Sequence, residues 1–253
     1  MIDKRTLVFD ERGLKRYKFI WSSMYDDYLK RLRQDSSLDK VVIKSDTDFE
    51  IMKKLCIWVS MQWEHSDSGT CKYGDAYSIL KEAREGSRFK CSEYSTVLQA
   101  CLSSFGIKSR KVMLMVPEVE KMDTGSHVVV EAYSDNEKKW CFLDSDEGVI
   151  PMHIDKPINA AELQQIITND IEELKLINNG RGKISQWIEF VYPHLFNFRV
   201  NFDNRVDDGN LRRNKLGLIL TPIGFTAPKS LGGVYKLANY CTHSIQTFYQ
   251  KPS

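Results

Sequence analysis

The sequence predicts an α+β fold in which a helix that opens on a cysteine packs on an antiparallel sheet, with further helices and strands following it. Three observations carry this expectation. Residues 91–105 step Tyr94, Val97, Leu98, Cys101, Leu102 and Phe105 along one face before Gly106 closes the helix. Three strand-like segments come next without an intervening helix: "RKVMLMV", "HVVVEAY" and "KWCFLD". The last two are joined by "SDNEKK", a hairpin connection, and a helix followed by consecutive strands argues against alternating parallel crossovers.

The remaining elements follow in chain order. Residues 1–45 read as a segment of short elements packed on the core, with a helix in "YDDYLKRLRQ". "DTDFEIMKKLCIWVSMQWEH" starts with Asp46 or Asp48 as cap and sets Phe49, Met52, Leu55, Cys56, Val59 and Trp63 at helical spacing. The polar tract "SDSGTCKYGD" breaks that helix, and "AYSILKEAREG" forms a short one ending at Gly86. Further on, "NAAELQQIITNDIEELKLI" carries a capping-box pattern at Asn159 and Glu162, which predicts a helix over residues 160–177. A second helix covers "ISQWIEFVY" up to Pro193. "FNFRVNFDN" alternates Phe196, Phe198, Val200 and Phe202 with polar residues as a half-buried strand, "LGLILTPI" and "HSIQTFYQ" read as two more strands, and the basic "NLRRNK" reads as a solvated turn. The chain therefore divides into an N-terminal segment (1–45), a core (46–150) and an extension of the same domain (151–253) that continues the sheet.

Bulk properties exclude several classes. A chain of 253 residues with 42% hydrophobic content can bury one large core. Thirty-six basic against 34 acidic residues leave a charge of +2, which calls for neither a nucleic-acid nor a membrane partner. No apolar run reaches the length of a membrane span, and the first residues lack a signal-peptide core, so a soluble cytoplasmic protein is expected. The six cysteines include no CxxC pair, which points to free thiols in a reducing compartment; no metal and no cofactor is expected.

Cys91 is the residue that stands out. It falls on the apolar stripe of its helix and could be plain core, but it sits in the first turn, where free N–H groups and the helix dipole favour the thiolate, and Arg88 and Lys90 precede it. A thiolate there can attack a carbonyl while neighbouring backbone N–H groups hold the oxyanion. A base is needed, and of the five histidines only His127 opens a strand. Asp144 ends the next strand; if the two strands are hairpin neighbours, the start of one lies beside the end of the other. Alone, His127 is as well explained as a strand-edge residue and Asp144 as a turn former. Together with Cys91 they have the residue types of a Cys-His-Asp relay, in which the carboxylate fixes the imidazole tautomer.

The order and setting of "RFKCSEYSTVLQACLSSFGIKSRKVML", "GSHVVVEAY" and "KWCFLDSD" resemble the transglutaminase-like superfamily, as a bacterial-type single-core member, over about residues 46–146. The resemblance implies a papain-like core with Cys91 as nucleophile, His127 as base and acid, and Asp144 as orienting carboxylate, with Asp146 a second candidate for the last role. Animal transglutaminases keep a tryptophan ahead of the nucleophile that helps hold the oxyanion. Here Tyr73 lies nearby, so Tyr73, Gln62 or a backbone amide is left for that task. Calcium activation is not implied, because the additional domains of animal transglutaminases have no room in this chain. The expected activity is cysteine-dependent acyl transfer from a peptide or protein amide through a thioester, ending in hydrolysis or transfer to an amine. The alternative is a non-catalytic interaction module that retains the fold.

Overall fold

The computed structural model describes residues 5–13, 15–122, 125–178, 184–207 and 215–252. In chain order its helices are α1 (Asp27–Asp35), α2 (Asp48–Ser60), α3 (Ala76–Arg84), α4 (Cys91–Ser104), α5 (Ala160–Asn169), α6 (Ile184–Val191) and α7 (Ile245–Phe248). The strands are β1 (Ile20–Trp21), β2 (Ser109–Met115), β3 (Ser126–Ser134), β4 (Lys139–Leu143), β5 (Val149–His153), β6 (Lys156–Pro157), β7 (Leu174–Asn178), β8 (Asn197–Asn201), β9 (Asp203–Asn204), β10 (Gly217–Leu220), β11 (Ser230–Leu231), β12 (Tyr235–Lys236) and β13 (Asn239–Thr242). The main sheet has the order β13-β10-β8-β2-β3-β4 and is antiparallel except for the β10–β13 pair.

Side chains alternate along the strands, so the sheet has two buried faces. Val130, Ala132, Cys141 and Leu143 join the cluster formed with α1 to α4. Val112, Leu114, Val129, Phe142, Phe198, Val200, Leu218 and Leu220 join the cluster built with α5, α6 and α7. The fold is thus α+β with the cysteine-bearing helix on one face, and the C-terminal strands continue the sheet beyond β2.

The local chemistry accounts for the element boundaries. Thr47, rather than Asp46 or Asp48, caps α2 by accepting from the Glu50 amide at 3.2 Å. Asp46 instead accepts from Lys54 Nζ at 2.7 Å, and Asp48 accepts from Ser134 Oγ at 2.7 Å and from the Asn136 amide at 3.1 Å in the β3–β4 turn. Gly86 and Gly106 end α3 and α4 with φ of 97° and 79°, values that suit glycine.

Two further expectations are corrected. The helix over 160–177 stops at Asn169: its capping box forms, but a 3₁₀ turn follows and Leu174–Asn178 pairs with β5, so nonlocal pairing overrides the continued apolar spacing. "HSIQTFYQ" is not a strand, because Ser244 caps the short helix α7 by accepting from the Thr247 amide at 3.1 Å. The loop "NLRRNK", apart from Lys215, lies outside the described residues.

On the α7 side of the sheet, Arg110 and Glu131 face each other across β2 and β3, both fully buried. The guanidinium donates to Glu131 Oε2 from Nη2 at 2.8 Å and to the Phe248 carbonyl at 2.9 Å, and lies 4.1 Å from the Trp140 ring centroid. Glu131 Oε1 accepts from the Ala160 amide and the Tyr249 hydroxyl, each at 3.0 Å. One ion pair, with a hydrogen-bond partner at each guanidinium nitrogen and each carboxylate oxygen, therefore ties β2, β3, the start of α5 and the C-terminal end of the chain.

Candidate active site

The start of α4 differs from its neighbours. Asp26, Thr47, Asp75 and Asn159 cap α1, α2, α3 and α5 with side-chain oxygens, whereas the N-cap of α4, Lys90, makes no side-chain cap hydrogen bond. Among the described residues the first-turn amides at Cys91 therefore have no capping side chain, at the positive end of a 14-residue helix. Extended backbone at Lys90 (φ −98°, ψ −179°) carries the chain into the helix, and Phe89 is buried just before it.

A loop from α2 clamps this entry. His65 forms a parallel bridge with Phe89, and the Ser66 amide donates to the Phe89 carbonyl at 3.0 Å. The Trp63 ring lies 4.3 Å from the Tyr94 ring, tilted by 35°, and the Tyr94 hydroxyl donates to the Trp63 carbonyl at 2.7 Å. Gly69 passes so close that a Cβ there would lie 1.8 Å from the Arg88 carbonyl oxygen.

His127, at the start of β3, is buried and its Nε2 lies 3.0 Å from Oδ2 of the fully buried Asp144, which follows β4. The same Oδ2 accepts from Trp187 Nε1 on α6 at 3.0 Å, and the Glu147 amide donates to Oδ1 at 3.3 Å. Three donors on a buried carboxylate favour its charged form. Burial pushes the Asp144 pKa up, but the imidazole's charge and these hydrogen bonds outweigh it and hold the group below its usual value. In turn burial works against a charged His127, and the Asp144 carboxylate with the Cys91 sulfur overcomes it, holding the imidazole well above its ordinary pKa.

The Cys91 sulfur, a half-buried free thiol, lies within 4.8 Å of a ring nitrogen of His127 and of a carboxylate oxygen of Asp146. Nε2 is engaged by Asp144, which leaves Nδ1 for the thiol. Asp146 accepts from His65 Nδ1 at 2.9 Å, and burial, then the nearby Asp144 charge, pushes its pKa up to about 6. The fold thus brings together Cys91, His127, Asp144 and Asp146. Asp144, not Asp146, meets the far nitrogen of the imidazole.

Gln62 and Tyr73 have other partners. The Gln62 amide nitrogen donates back to the Trp58 carbonyl in the last turn of α2 at 2.7 Å, and Tyr73 is exposed with Lys72 Nζ 5.1 Å from its ring centroid. Among the described residues neither has a hydrogen bond to Cys91. Conversely, His65, Trp187, Phe190 and His194 surround the cluster although the sequence does not single them out for it. Phe190 meets the His127 ring edge-on at 5.0 Å and His194 lies 6.3 Å from it. Burial, and after it the His127 charge, hold the His194 pKa below its ordinary value even though the Phe190 carbonyl hydrogen bond pulls it upward.

Residues 36–145 match the family model of the transglutaminase-like superfamily, a span that contains Cys91, His127 and Asp144. The matched residues, 110 of the 253, are similar to that family's core. Trp187, Phe190 and His194 lie outside the matched span, so the C-terminal part of the chain adds a wall to the cluster. No curated protein matches the sequence. Among solved structures, a candidate cysteine protease from Cytophaga hutchinsonii is similar at 13% identity and a TM-score of 0.38, over 61% of this chain and 49% of that one. A candidate protease from Parabacteroides distasonis shares 16% identity at a TM-score of 0.34, over 47% of this chain and 24% of that one. LapG of Legionella pneumophila shares 12% identity at a TM-score of 0.35, over 67% of this chain and 88% of that one. The chain thus spans about half the length of the first of these and about a quarter of the second.

Proposed function

We propose that the protein is a cysteine-dependent acyl-transfer enzyme acting on an amide of a peptide or protein. The observation that carries this reading is the ordered relay in which the Cys91 sulfur lies beside an imidazole whose far nitrogen is held at 3.0 Å by a buried, triply hydrogen-bonded carboxylate. Asp144 orients the ring and favours its protonated form, so that His127 can hold the thiol proton. The Cys91 thiolate attacks the amide carbonyl, and the uncapped first turn of α4 offers backbone N–H groups to the oxyanion. His127 then returns its proton to the leaving amine as the thioester forms. Water, or an acceptor amine, resolves the thioester and restores the thiol. A non-catalytic module has no need of the free helix start or of the enforced imidazole orientation.

The reading is tested by brief iodoacetamide treatment at pH 6 followed by intact-mass measurement. One fast adduct is expected, absent from Cys91→Ser. Cys56 and Cys101 are fully buried, and burial pushes Cys56 up and Cys101 up to about 12, so neither competes; Cys241 is exposed and serves as the internal reference for accessibility. Labelling of Cys91 no faster than Cys241 would remove the enzyme reading. Peptide amides incubated with and without a primary amine then separate transferase from hydrolase: an amine adduct marks the former, acid product alone the latter.

A further inference from the structure

We propose that Cys91, His127 and Asp146 also form a zinc site, and that a bound Zn²⁺ ion reversibly silences the thiol. The inhibitory consequence rests on the acyl-transfer reading above; the ion site does not. Spacing along the chain contains no metal motif, and the cluster exists only in the fold. A sulfur, an imidazole nitrogen and a carboxylate oxygen lie within 4.8 Å of one another. Zinc bonds of about 2.0–2.3 Å place tetrahedral donors roughly 3.4–3.8 Å apart, so closure asks for movements of about 1 Å or less. Cys91 at a helix start and Asp146 beyond a strand end are placed to make them. Thiolate and imidazole suit Zn²⁺ and not Ca²⁺ or Mg²⁺, which take oxygen donors.

The surroundings complete the argument. Asp144 faces away from the thiol and holds His127 through Nε2, the carboxylate–histidine–metal arrangement that fixes the tautomer of a metal-bound imidazole. Trp187 and the Glu147 amide hold Asp144 in turn. His65 Nδ1 sits at 2.9 Å from both carboxylate oxygens of Asp146, so one oxygen can turn to the ion while the other keeps its histidine. Three protein donors leave a fourth position for water, the open form of a zinc site. A thiolate and a carboxylate neutralise the ion, whereas the positive end of α4 opposes it, which favours a releasable ion over a permanent one. Binding exchanges the proton of the thiol, and any proton on the facing imidazole nitrogen, for the ion; both go to solvent, and no carbon bond is made or broken.

The test uses the full chain and two readouts that need no substrate. Zn²⁺ should protect Cys91 from iodoacetamide, with labelling restored by a chelator. Asp146→Asn should raise the zinc concentration needed for protection at least tenfold, while the metal-free variant still alkylates at Cys91. Co²⁺ in place of zinc should give intense tetrahedral visible bands and the charge-transfer band of one thiolate, both lost in Cys91→Ser. Unaltered alkylation under zinc, equal protection of a folded Asp146→Asn, or a weak octahedral cobalt spectrum would each overturn the site. Should Asp146→Asn fail to fold, the wild-type cobalt spectrum still decides. Zinc protection without any acyl transfer would sink the functional reading and leave the site standing; turnover without protection would do the reverse.

Discussion

Asp144 Oδ2 is shared by two rings, accepting from His127 Nε2 and from Trp187 Nε1 at 3.0 Å each. The indole thereby fixes the carboxylate that fixes the imidazole. A hydrogen bond to a charged acceptor contributes about 1.5–3 kcal/mol, so Trp187→Phe should lower turnover of an amide substrate by roughly 10- to 100-fold. Because the indole is one of the donors that hold the Asp144 pKa down, its loss should also move upward the acid limb of turnover that reports this carboxyl. An unchanged acid limb would mean that the indole packs without positioning.

The Asp146 carboxyl gives a stability signature. Its folded pKa of about 6 stands above the ordinary 3.8, because burial and the Asp144 charge disfavour ionisation. The proton is held more tightly in the folded state, so the group's contribution is complete below about pH 3.8 and is lost as the pH rises through about 6. The loss is on the order of 2–3 kcal/mol. Urea unfolding at pH 5 and pH 8 should show Asp146→Asn gaining on the wild type at the higher pH, and parallel behaviour at both would contradict the assignment.

Glu131→Ala should cost about 3–5 kcal/mol of unfolding free energy, since it strands the fully buried Arg110 guanidinium without its partner. Replacing both charges together with apolar residues of similar volume should cost less than Glu131→Ala alone. Denaturant curves for the single and double variants check this ordering.

Gly69→Ala reaches the cluster from outside it. Its Cβ would collide with the backbone carbonyl of Arg88 at 1.8 Å, so the loop or the entry to α4 must shift. The expected results are a loss of about 1–3 kcal/mol and a slower iodoacetamide reaction at Cys91. A variant as stable and as reactive as the wild type would show that the loop gives way freely.

Much of this arrangement was legible in the amino-acid order, and the exceptions have physical causes. The helix opening on Cys91 and the His127–Asp144 hairpin could be read because their apolar spacing is local and strong. Leu174–Asn178 could not, since its partner β5 lies upstream and pairing, not spacing, decides its state. The four-residue α7 is too short to express a helical period. Trp187 looks like any core aromatic on an amphipathic helix until the acceptor of its N–H is known, and that acceptor is 43 residues away. His65 reads as loop, its contact with Asp146 spanning 81 residues.

The position of β8 between β2 and β10 bears on how the protein can be dissected. A polypeptide cut after residue 145, where the family match ends, would bare the backbone of β2 along an open edge, and naked edges recruit other chains. It would also forfeit the indole behind Asp144. The stretch that a family comparison recognises is therefore shorter than the stretch that must be inherited intact, and trimming the gene to its familiar motif should yield aggregates in place of a smaller catalyst.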